Sequence, residues 1–225
     1  MNNIFDRSTG LLGKENFYLI QDKVIAVFGL GGVGGTALEA LARTGFKHFL
    51  LIDFDKVDPS NLNRQILYTQ KDIGRNKVEA AKERILSINP EADIKAYQLK
   101  AQDFDFNQKI DFIVDAIDDV NGKLYLLSKA QEKEIPHIMS LGMANRFDPS
   151  KVKIAKLNQT HSDPLAKKLR YMVKKQGLET SNVNVIISEE LPQKNGEILC
   201  STMMVPSSAG LSLAKFILES IIDKK

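Results

Sequence analysis

Six residues, Gly29-Leu30-Gly31-Gly32-Val33-Gly34, join the apolar run Val24–Phe28 to a helical pattern that begins at Val33. A strand feeding a glycine-rich turn at a helix start is suited to phosphate. Gly29 permits the tight turn, Gly31 lets the backbone approach an oxyanion, and Gly34 lets the helix pack on the strand. Unpaired N–H groups and the positive end of the helix dipole then face the ligand. Asp53, about 20 residues further on, stands where an acidic side chain can accept hydrogen bonds from a ribose. Arg64 and Lys77 follow. Hydride transfer, the usual chemistry of such a turn, has no use for two cations converging on the phosphate end. Attack at phosphorus does, because Arg, Lys and metal ions stabilise the charge that builds there.

Strands alternate with helices along the first 140 residues, which predicts a Rossmann-like, doubly wound α/β fold with a mainly parallel sheet. Val24–Phe28, Phe49–Ile52, Ile94–Tyr97, Phe112–Asp115 and Pro136–Ser140 read as strands; Val33–Thr44, Arg75–Ile88 and Asn121–Glu134 read as helices. Val152–Ala155 and Val183–Ile187 read as strands added antiparallel near the C-terminus, and Pro206 opens a closing buried helix. Ligands in such sheets bind beyond the carboxyl ends of the strands. Gly29, Asp53 and Asp115 all fall there. Asp115 and Asp118 both follow the apolar strand Phe112–Val114, and a carboxylate there can hold Mg²⁺ against substrate phosphates, since Mg²⁺ takes one or two protein carboxylates plus water; Asp115 can instead orient the loop.

At 225 residues and with no linker or repeat, a single domain over residues 1–225 is expected. The net charge of +3 does not by itself call for nucleic acid. One cysteine, Cys200, excludes an internal disulfide and a four-cysteine zinc site. It has no basic neighbour in sequence and reads as a small packing residue. His48, His137 and His161 lack metal or triad spacing. Met1–Asp6 lacks a basic-then-apolar pattern, and Ala209–Ile222, broken by Ser212, Lys215, Glu219 and Ser220, reads as too short and polar for a membrane span. The reading is a cytoplasmic protein.

The motifs Gly29–Gly34, Asp53-Phe54-Asp55, Asn61-Leu62-Asn63-Arg64-Gln65, Lys77 and Asp115-Ala116-Ile117-Asp118 together resemble the adenylating enzymes related to ubiquitin-activating E1. Within that superfamily, residues 7–13, 39–45, 88–90 and 163–170 are most similar to the tRNA threonylcarbamoyladenosine dehydratase branch. The resemblance implies ATP and Mg²⁺ as cofactors and allows a monovalent cation. It implies nucleotide contacts from Gly29, Gly31, Gly32, Gly34, Asp53, Asp55, Asn61 and Gln65, catalytic roles for Arg64, Lys77 and Asp118, and the metal on Asp118. Asp119 departs from the asparagine common in relatives. Arg7 matches an arginine that reaches into a partner's ATP site, which implies a homodimer. The resemblance also allows a sulfur-transfer or sulfur-carrier protein as partner.

Asp163-Pro164 is an N-cap and first-turn pair, after which Leu165, Leu169 and Met172 fall on one helical face. Lys167, Lys168, Arg170, Lys174 and Lys175 spread over the other. On residues alone this is either a solvated face or a phosphate binder. The resemblance implies the second, with tRNA carrying threonylcarbamoyladenosine in its anticodon arm. Two other readings remain: activation of the C-terminal glycine of a ubiquitin-like sulfur carrier, and a nucleotide-binding scaffold. Missing zinc cysteines count against the first, and the retained Arg64, Lys77 and Asp118 against the second.

Overall fold

The computed structural model describes residues 3–161, 163–193 and 199–222. In chain order its regular elements are α1 (Asp6–Leu12), α2 (Lys14–Gln21), β1 (Val24–Phe28), α3 (Gly32–Thr44), β2 (His48–Ile52), α4 (Lys77–Ile88) and β3 (Asp93–Tyr97). There follow β4 (Phe112–Asp115), α5 (Val120–Glu132), β5 (His137–Ser140), β6 (Val152–Lys156), α6 (Pro164–Lys175), β7 (Asn184–Ser188) and α7 (Met204–Ile222). One seven-stranded sheet runs β3-β2-β1-β4-β5-β7-β6.

Strands β1, β2, β4 and β5 are apolar runs because helices cover both sheet faces, which is how parallel strands are buried. Ile25, Val27, Phe49 and Leu51 pack with α3 and α7 on one side, and Ala26, Phe28, Leu50 and Ile113 with Phe104 and Phe106 on the other. The C-terminal strands differ from the sequence expectation in one respect. β7 pairs parallel with β5, and only β6, at the edge, is antiparallel. A four-to-five-residue apolar run carries no sign of its direction; the long excursion through α6, which lies between β6 and β7 in sequence, leaves β7 free to continue the parallel set.

Helix α7 starts earlier than Ala209 and reaches 19 residues, long and apolar enough to cross a membrane by length and composition. Its Val205, Ala209, Leu213 and Ile217 are nevertheless buried against the core. A Cβ on Gly210 would sit 2.4 Å from the Val33 carbonyl, so α7 lies tightly against α3. The order of strands reverses between β1 and β4, which opens a crevice at their carboxyl ends.

Candidate active site

The crevice is built from the turn after β1 outward. Gly29 adopts φ +87°, and a Cβ there would lie 2.7 Å from the Ala116 carbonyl oxygen. A Cβ on Gly34 would lie 1.9 Å from the Gly29 carbonyl oxygen. Neither position tolerates a side chain without moving backbone. Gly31 is the N-cap of α3 and no side chain caps that helix, which leaves its first amides for an anion. Gly32 would carry a Cβ 3.0 Å from the Arg64 carbonyl and 3.1 Å from Pro206. The glycine turn, the Asn61–Gln65 loop and the start of α7 therefore meet at one point.

Asp53, at the end of β2, bolts this turn in place. Its Oδ2 accepts the Leu30 N–H at 2.7 Å and its Oδ1 accepts the Asp55 N–H at 2.8 Å. Each oxygen keeps a lone pair for a ribose hydroxyl. Burial pushes the Asp53 carboxyl above its ordinary range, against the opposing pull of Lys77 and the two amides. Tyr68, which no sequence pattern marks, donates its hydroxyl to the Leu30 carbonyl at 2.9 Å and fixes the turn from the other side.

Lys77 opens α4, is 6% exposed, and donates from Nζ to Asp55 Oδ2 at 2.8 Å. That leaves two of its three ammonium protons for a phosphate. Arg64 is half-buried and donates from Nη1 to Ser60 O and Asn63 Oδ1. Among the described residues it has no carboxylate partner, so its charge is uncompensated at the crevice. Asn61 is buried in a turn capped by Asp58, its Oδ1 accepting the Asp58 N–H at 3.1 Å. Gln65 is 5% exposed and its Nε2 lies 3.8 Å from where a Gly31 Cβ would stand. Its Oε1 is buried with no partner. A buried amide oxygen left unpaired beside a phosphate turn calls for a donor from outside the chain.

Beyond β4 the two acids part company. Asp115 is not available for a metal. It is fully buried, its Oδ1 2.8 Å from Lys123 Nζ, and the same oxygen accepts the Ile117 N–H at 3.2 Å. His137 Nε2 lies 3.8 Å from Oδ2, too far for a hydrogen bond. Asp118 is exposed on the loop that abuts Gly29, and Asp119 caps α5 by accepting the Gly122 N–H at 2.7 Å. An acid serves this cap as well as an asparagine does. Among the described residues no three His, Cys, Asp or Glu side chains cluster to hold a metal. A lone carboxylate beside a phosphate turn still fits Mg²⁺, which draws most of its ligands from water and nucleotide.

The ThiF family profile matches residues 5–219. The chain belongs to the ThiF family. Its relatives in that family include the tRNA threonylcarbamoyladenosine dehydratase of Bacillus subtilis, 38% identical over 84% of this chain and 75% of that protein. The protein of the same name from Escherichia coli is 36% identical over 76% of this chain and 65% of its own length. A crystal structure of the E. coli dehydratase in complex with ATP superposes with a TM-score of 0.92 at 32% identity, covering 98% of this chain and 94% of that one.

Two groups of expected residues stand apart from the ThiF-family crevice. Arg7 is exposed on α1. Phe5 packs against Phe17 at 5.7 Å, and Phe17 lies under Gly45 at the far end of α3, about 20 Å from the glycine turn. The fold does not bring Arg7 to its own chain's crevice. On α6 the apolar seam lies one residue over from expectation. Ala166, Leu169 and Val173 are buried, while Leu165 and Met172 are half-buried, because small Ala166 lets the helix approach closely. Lys167, Lys168 and Lys174 are exposed, but Arg170 is half-buried and donates to the Thr160 hydroxyl. It braces the helix and does not belong to a free basic face.

Cys200 is also a correction: it is exposed, not packed. Asn145, at φ +59°, exchanges two 2.7 Å hydrogen bonds with it, and Asn63 Nδ2 donates to the Ser201 carbonyl at 2.9 Å. Cys200 and Ser201 are thus tied by their backbone groups to Asn145 and to Asn63 of the Asn61–Gln65 loop, with Glu197 and Ile198 outside the described residues.

Proposed function

We propose that the chain is an ATP-dependent tRNA threonylcarbamoyladenosine dehydratase. The observation that carries this reading is the convergence of bare amides, Arg64 and Lys77 on one crevice, in a chain that superposes over 98% of its length on the E. coli dehydratase with ATP. A carboxylate is a poor acyl donor because its leaving group is oxide. The threonine carboxylate attacks the α-phosphorus of ATP, pyrophosphate leaves, and a mixed anhydride with AMP forms. A nitrogen or oxygen of the neighbouring carbamoyl group then attacks the acyl carbon, closes a ring and expels AMP. Water is lost overall. The ring-closing nucleophile is already tethered, so its effective molarity is high and no enzyme nucleophile is needed.

In this reading the amides of residues 31–34 hold phosphate oxygens, Gln65 Oε1 accepts a donor from the nucleotide, and Asp53 and Asp55 lie toward the ribose. Arg64 and Lys77 stabilise charge on the phosphates as pyrophosphate departs. Mg²⁺ on Asp118, when bound, neutralises phosphate charge. The exposed lysines of α6 hold the RNA, and the enzyme works in the cytoplasm.

Arg7 completes the site of a second subunit. Exposed Ile4, Leu11 and Tyr18 around it supply apolar surface for a homodimer contact. Mixing Arg7→Ala with Lys77→Ala chains then restores part of the activity, because one of the two sites in a heterodimer is intact; no restoration rejects the trans arginine. Labelled pyrophosphate exchange into ATP with threonylcarbamoyladenosine tRNA, set against exchange with a ubiquitin-like carrier protein, tests the reaction itself. Exchange with the carrier and none with tRNA assigns the chain to sulfur-carrier activation.

A further inference from the structure

Tyr171 is 69% exposed in the middle of α6, an unusual place for a large aromatic ring. It lies in an open groove of about 690 Å³ formed by Asn158, Lys167, Arg170, Lys174, Leu178 and Thr180. Lys167 precedes it by four residues and Lys174 follows by three, so both stand on the same helical face beside the ring. Among the described residues no carboxylate comes within ion-pair distance of either lysine. Arg170, held by Thr160, forms the groove wall.

The direction of α6 gives the groove its meaning. Its N-cap Asp163 lies 3.6 Å from Arg146 and close to Gly142, two residues past the carboxyl end of β5, so the helix starts on the crevice side. Its far end meets the end of α5, where Gln131 and Glu179 exchange two hydrogen bonds. Tyr171 is therefore about 12 Å along the helix from its crevice-side N-cap, Asp163. An RNA loop that delivers one nucleotide to the crevice passes this groove with a neighbouring part of its strand.

We infer that Tyr171 is a stacking platform for an unpaired base of the substrate tRNA, with Lys167 and Lys174 holding the phosphates on either side. This rests on the dehydratase reading above. An aromatic face between two unpaired cations is the chemistry that binds single-stranded RNA, since every base has a π-face and every linkage a charge. An acidic protein would use the lysines but has no need of the ring.

The test is the affinity of threonylcarbamoyladenosine tRNA for parent, Tyr171→Ala, Tyr171→Phe and Lys167→Ala/Lys174→Ala chains across a salt series. Tyr171→Ala should weaken binding roughly 5- to 100-fold without changing the slope of log affinity against log salt. Tyr171→Phe should bind as the parent does. The double lysine variant should make that slope shallower by about 1.4 to 2, since each lost phosphate contact ceases to displace condensed counterions. ATP affinity should be unchanged throughout. Undiminished binding by Tyr171→Ala overturns the platform, and so does a Phe variant as weak as Ala. Equal loss of heparin binding in Tyr171→Ala also overturns it, because heparin has no base to stack. Failure of the parent to bind tRNA at any salt overturns the dehydratase reading beneath it.

Discussion

Lys123 Nζ lies 2.8 Å from Asp115 Oδ1, and neither side chain is reached by solvent. This pair joins the end of β4 to the first turns of α5, and the loop it spans carries Asp118. Removing one partner of a buried pair strands the other's charge. Lys123→Met should therefore lower stability by about 3–5 kcal/mol, measured by urea unfolding. Asp115→Asn/Lys123→Met, with no charge left to strand, should lose less.

The same pair sets an acid limit. Burial pushes the Asp115 carboxyl up, but the Lys123 ammonium, with His137 beside it, outweighs burial and holds it below its ordinary 3.8. A carboxyl depressed in the folded state adds stability that is complete above the unfolded value and is lost as pH falls through the folded one. The parent should lose melting temperature steeply below about pH 4. Asp115→Asn should show a shallower acid limb in thermal melts.

Gly34 tolerates no side chain, since its Cβ would meet the Gly29 carbonyl at 1.9 Å. Gly34→Ala must push α3 away from β1 and spoil the amide cradle. The expected cost is about 1–3 kcal/mol of stability together with at least tenfold weaker ATP binding by calorimetry. Unchanged ATP affinity argues against phosphate binding at this turn.

Lys77→Met and Arg64→Met should each reduce adenylation turnover roughly 10²–10³-fold, the effect of removing one donor aimed at developing charge. ATP affinity should fall far less. A large loss of affinity with turnover intact indicates ground-state binding alone.

Cys200 is exposed near the crevice yet has no assigned part in ring closure. Cys200→Ala should keep tRNA product formation within about twofold, in keeping with a surface substitution. Complete loss of cyclised product with AMP transfer retained points to a thioester step.

Much of the frame is readable in the chain because burial on both faces writes β1, β2, β4 and β5 as apolar runs. Gly29 and Gly34 are equally plain, since backbone crowding leaves them no alternative. Lys123 is not. A lysine inside a helix pattern ordinarily faces water, and only its spacing of eight residues from Asp115 hints at a partner. Arg170 looked free for the same reason, although the Thr160 hydroxyl that holds it lies ten residues away. Cys200 depends on Asn145, 55 residues distant, and no local pattern records that clamp. The direction of β7 was likewise set by the sheet edge left open beside β5, a property of the assembled fold.

Labelled pyrophosphate incorporation into ATP, followed by chromatography of digested tRNA, tests the phosphate crevice most directly. With Mg²⁺ and threonylcarbamoyladenosine tRNA the purified chain should exchange label, release AMP and yield the cyclised nucleoside, while Lys77→Met does none of these at a comparable rate. Absence of exchange and of AMP from a folded, ATP-binding chain given that tRNA contradicts the account.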